Sequence, residues 1–106
     1  MDHIECLRRL VINDGAAIRG AEFSTTLDAR TLAAVRIAAL VAIGGGELSY
    51  GAEVDAAIAA GSSPSEVVDI ARAVAPIAGV PRVVSAAPRL AIALGCEDEL
   101  FAGDVL

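Results

Sequence analysis

Four polar side chains of this chain have the types and positions for chemistry: Arg36, Ser49, Tyr50 and Glu53. A glutamate becomes a general base when burial raises its pKa. A tyrosine hydroxyl can donate to a substrate oxygen, and a guanidinium can hold a carboxylate through two parallel N–H donors. Each has a plainer reading. Glu53 with Asp55 forms a solvated helix face. Tyr50, the single tyrosine, fills a core or an interface. Arg36 stands alone on an apolar helix, where an unpaired buried charge is costly, so an acid partner is expected; an Arg36–Glu53 pair would account for both. Ser49 lacks a histidine base, because His3 is the single histidine and sits near the N-terminus, so nucleophilic serine chemistry is disfavoured and Ser49 reads most simply as a surface or packing residue.

Other chemistries are weaker still. Cys6 and Cys96 stand far apart and form no CxxC pair, so they read as reduced thiols packed as small hydrophobes. No metal site is expected from one histidine and two separated cysteines. Gly44-Gly45-Gly46 lacks the following Lys-Ser/Thr and the preceding strand of a phosphate loop, so it reads as a helix break, and no cofactor is expected.

Composition narrows the class. The 106 residues suffice for one domain, spanning 1–106. Apolar residues plus glycine reach about 64%, against roughly 45–50% for an ordinary soluble domain, which excludes intrinsic disorder. The net charge is −6 and the 8 basic residues, all arginine, are scattered, so there is no basic patch for nucleic acid. The longest apolar stretch, Leu32 to Ile43, is interrupted by Arg36 and is far short of the roughly 20 residues of a membrane span. No signal-peptide pattern precedes it, so a cytoplasmic protein is expected, its apolar surplus buried between subunits.

The elements that must position these residues are helices, for apolar positions recur at helical spacing and strand alternation is absent. Residues 3–12 carry Ile4, Leu7 and Val11 on one face, and 13–27 read as a connector. Asp28 caps an apolar helix over 29–43, and the triple glycine stops it. Glu47 opens a helix near 47–60, ended by Gly61. Ser63-Pro64-Ser65-Glu66 is a capping box with proline at the first helical position. Its helix shows Val67, Ile70, Ala71, Val74, Ile77 and Ala78 on one stripe, with Pro76 kinking the last turn. After Gly79 a helix over about 81–94 places Val83, Ala87, Leu90 and Leu94 on one face, and Pro88 bends it or marks a late restart. The tail 95–106 is acidic. The fold predicted is all-α, a compact bundle of about five helices.

The order of these signals resembles a known family. Leu27-Asp28-Ala29-Arg30-Thr31, the glycines 44–46, Ala57-Ile58-Ala59-Ala60-Gly61, Ser63 to Glu66 and Ala78-Gly79-Val80-Pro81-Arg82 are similar to the carboxymuconolactone decarboxylase family, which includes the alkylhydroperoxidase D-like proteins. The likeness covers residues 27–94, leaving 1–26 as an N-terminal helix and connector. It implies an alkylhydroperoxidase D-like fold, a homotrimer or homohexamer, and a pocket near the glycine break, often at a subunit interface. The family's redox pair falls on Gly46 and Ser49, its histidine on Glu53, and its upstream glutamate near Ala33 or Ala34. With no thiolate at either pair position, peroxide reduction by that route is unavailable. The resemblance also brings Arg36, Ser49, Tyr50 and Glu53 near the implied pocket.

Three functions follow as expectations. In the first, a cofactor-free lyase or isomerase acts on a small organic acid, with Arg36 holding the anion, Glu53 as base, Tyr50 as acid and Ser49 beside them. In the second, the chain is a non-catalytic small-molecule binding or assembly protein. In the third, Cys6 or Cys96 supports a residual thiol peroxidase. The partners expected are further copies of the chain and a small organic molecule, with neither nucleic acid nor membrane.

Overall fold

The computed structural model describes residues 2–16 and 25–102, whose secondary structure is helical throughout. In chain order the helices are α1 (His3–Val11), α2 (Ala29–Ile43), α3 (Glu47–Ala59), α4 (Pro64–Ala78), α5 (Val80–Leu94) and α6 (Glu97–Phe101). The expected connector is described only at its two ends, and Gly20 lies outside the described residues.

Caps set the boundaries as the sequence implied. The Asp28 carboxylate accepts from the Thr31 backbone N–H at 2.7 Å. That bond, helped by one from the Thr31 side chain, holds the Asp28 carboxyl below its ordinary pKa. Ser63 Oγ accepts from the Glu66 N–H at 3.1 Å, with Pro64 in the first turn. The capping box is not reciprocal, however. The Glu66 carboxylate pairs with Arg30 of α2, tying the starts of two helices together.

The core runs between α2, α3, α4 and α5. Each helix contributes one stripe spaced by three or four residues: Ala33, Ile37 and Val41; Tyr50, Val54 and Ala57; Val67, Ala71 and Val74; Ala86 and Leu90. Helix α2 packs on α3, α4 and α5, α3 and α4 also pack on α5, and α6 lies against α5. Alanine in every stripe lets the helices approach closely.

The chain turns from α2 into α3 through Gly44, at φ +79. The left-handed conformation requires glycine there; a Cβ would also stand 2.8 Å from Arg82 Nη1, the mobile end of an exposed side chain that can swing aside.

Two expectations about packing are corrected. Ile77 is 91% exposed, because α4 ends at Ala78 with nothing packed over that flank. On α5 it is Ala86 and not Ala87 that faces the core. Pro76 and Pro88 each lie inside a continuous helix, so Pro88 marks no restart, and Pro76 leaves the Arg72 carbonyl without a helical donor. The acidic tail holds a sixth helix, α6, too short for periodicity to reveal, with Glu97, Asp98 and Glu99 in its first turn, where the helix dipole favours them. Helix α1 forms with the expected amphipathic face, yet it approaches no other described helix and has no buried residue.

Candidate functional site

A groove of about 480 Å³ opens between α2 and α3 on the flank away from the core. Arg36, Ala39 and Leu40 line it from α2, and Leu48, Ser49, Ala52 and Glu53 from α3. Helical spacing explains the set. Arg36 and Leu40 are one turn apart, as are Ser49 and Glu53, while Ile37, Val41, Tyr50 and Val54 face the core and fix both helices. Ala39, Ser49 and Ala52 are small, which keeps the groove open.

The groove therefore gathers a guanidinium, a carboxylate and a hydroxyl on an apolar floor. The suggested structural pair is not formed. Among the described residues the ion pairs are Glu5 with Arg8 and Arg9, Arg30 with Glu66, and Asp69 with Arg72, so Arg36 and Glu53 are both free. Such a free pair across an apolar groove can bind a carboxylate at one side and accept a proton at the other.

Tyr50 is placed elsewhere. It points into the core, 1% exposed, and its hydroxyl finds no hydrogen-bond partner. Burial raises its phenol pKa, with Arg89 opposing the shift. It does not line the groove. The sequence could not separate it from Ser49, its neighbour, because one residue of helix turns a side chain through about 100° and so from groove to core.

Leu40, Leu48, Ala39 and Ala52 were not singled out from sequence. The signal was present in their spacing from Arg36 and Glu53. Gly45 also has a role unseen in the sequence: a Cβ there would come within 2.5 Å of Cδ2 of Leu40, a residue that lines the groove, so Leu40 would have to shift. Cys6 lies on the isolated α1 and Cys96 between α5 and α6; both are free thiols and the fold does not bring them together. Among the described residues no three His, Cys, Asp or Glu side chains cluster as metal ligands do. No described helix is long and apolar enough to cross a membrane.

No curated protein and no solved structure matches the chain. The sequence model of the carboxymuconolactone decarboxylase family matches residues 15–91, beginning upstream of the motifs that start at Leu27. With most of its length matched and its described elements all helical, the chain belongs to the carboxymuconolactone decarboxylase family.

Proposed function

We propose that this chain is a cofactor-independent lyase or isomerase acting on a small organic acid in the α2–α3 groove. One observation supports the reading above others: Arg36 and Glu53 line the same groove and neither has an ion-pair partner among the described residues. Arg36 holds the substrate carboxylate, and Glu53 takes a proton from a carbon of the substrate and returns it at a later step. Ser49 donates to a substrate oxygen. Tyr50 contributes from behind, anchoring α3 to the core instead of serving as the acid. The proposed setting is the cytoplasm.

The test starts from a ligand retained on the purified protein in native mass spectrometry, or from turnover on a panel of small organic acids. Glu53→Gln should then lower kcat about 100- to 10,000-fold with the assembly unchanged, while Arg36→Ala raises KM. Unchanged turnover in Glu53→Gln would sink the role of Glu53.

A second reading is a non-catalytic small-molecule binding or assembly protein. What favours it is the open groove with Leu48, at its mouth, 92% exposed. Under that reading Glu53→Gln leaves ligand binding in place. Both readings include a homo-oligomer, a trimer or hexamer: α2 is apolar nearly all round, yet Val35, Ala39 and Ile43 face outward, as on a helix meant to be covered on both sides.

A further inference from the structure

Helix α1 is built to be covered. Ile4, Leu7, Leu10 and Val11 make an aliphatic stripe, and all four are exposed. At 9 residues the helix is below the roughly 12–15 at which an isolated helix holds in water, so its stability must come from packing. Yet it approaches no other described helix of its own chain.

The body carries a second groove that suits it, of about 450 Å³, at the end remote from the glycine break. Ile58, Ala59, Pro64, Ala93 and Leu94 give it apolar walls, and Asp55 stands at its side. Helix α6 begins three residues after Leu94 and brings Glu97, Asp98 and Glu99. None of these four acids is ion-paired among the described residues, and one Glu97 carboxylate oxygen is shut from solvent with no donor. Helix α1 carries the complementary groups: an apolar stripe from Ile4 to Val11 and, beside it in the last turn, Arg8 and Arg9, which share the single carboxylate of Glu5.

We propose that α1 is an arm that docks on a second copy of this chain, its aliphatic stripe in the groove between α3, α4 and α5 and its arginines toward the acids of α6. The topology permits reciprocity. Helix α2 starts at the grooved end, where Arg30 meets Glu66 two residues beyond Pro64. The arm therefore leaves its own body beside the groove that receives a neighbour's arm, and a closed set of copies completes the exchange, pairwise about the two-fold of a hexamer or around the three-fold of a trimer. The second copy, not the same body, is the occupant because the chain's own α1 stands clear of its own groove. This inference is independent of the chemistry proposed for the α2–α3 groove.

The two native thiols report on it. Cys6 lies on the arm and Cys96 two residues beyond Leu94, and both are partly accessible. Isotope-labelled and unlabelled full-length protein are mixed, left to exchange, and treated with a bis-maleimide on a flexible spacer. Mass spectrometry then identifies the linked peptides. The expected result is a Cys6–Cys96 link joining a labelled to an unlabelled chain. In Leu7→Asp that link should fall at least about tenfold, because a charge in the stripe weakens docking. The variant's thermal unfolding checks that the body still folds, as it should when α1 touches no other helix. A link found only within single chains, no Cys6–Cys96 link at all, or a mixed link undiminished in Leu7→Asp overturns the proposal.

Discussion

Tyr50→Phe removes one oxygen from the most enclosed part of the core. The Tyr50 side chain is 1% exposed and its hydroxyl has no partner. A buried polar group left unsatisfied costs about 1–3 kcal/mol. The void left by one oxygen is smaller than a methyl group and costs at most about 1 kcal/mol. The net expectation is a gain of about 1–2 kcal/mol. Unfolding entropy of about 2.1 cal/mol/K per residue converts each kcal/mol into about 4–5 °C of Tm for a chain of this size. Urea unfolding followed by circular dichroism at fixed protein concentration measures the gain, with an unchanged slope showing that the unfolded state is the same. The pH dependence gives a second readout. Burial raises the phenol pKa above its ordinary 10.0, so the unfolded chain loses this proton first. Stability is then full below about pH 10 and declines as pH rises through the folded value, and Tyr50→Phe should lack that decline. Since Tyr50 is the single tyrosine, phenolate absorbance reports on it alone. A loss of more than about 1 kcal/mol in Tyr50→Phe, or a phenol titrating at its ordinary value in the folded protein, would refute the reasoning, because either means the hydroxyl has a partner.

Gly44→Ala should lower stability by about 1–2 kcal/mol in urea unfolding, from the positive φ. Arg82→Ala in the same chain should recover little of that loss, because the guanidinium end can swing away from the new Cβ while the backbone strain stays. Ser63→Ala should cost about 1 kcal/mol by loss of the α4 cap, with Ser63→Asp close to neutral in the same assay.

The fold was legible where the signal is local. Asp28, the triple glycine and Ser63-Pro64 each announce a helix boundary through their own backbone chemistry, and the boundaries they implied are those observed. What depends on a distant partner was not legible. Glu66 reads as a capping-box residue until α2 brings Arg30 beside it. Ile77 continues the α4 stripe in register but has nothing to pack against. At the site, Arg36, Ser49 and Glu53 could be named from their types, and the structure brings all three to one groove. Tyr50 could be named as readily, and only the crossing of α3 over its neighbours decides that it faces the core. The glycine break shows the same limit from another side: the sequence gives the stop, but not the arginine from α5 that lies across it.

The connections of the bundle also bear on how fast it forms. Helices α2 and α3 are joined by three residues, and α4 and α5 by Gly79 alone. Each is a hairpin that closes a short loop at small entropic cost, and all-helical chains with such local contacts fold in microseconds to milliseconds. The expensive event is then the meeting of the two hairpins, because α5 must pack on α2 and α3 across the greatest sequence separation in the body. Leu90, in the α5 core stripe, belongs to that step. Leu90→Ala should therefore act mainly by slowing folding, which its chevron plot checks against that of the parent chain. The one-residue link at Gly79 thus acts on kinetics: it delivers α4 and α5 to the encounter as a single preassembled unit.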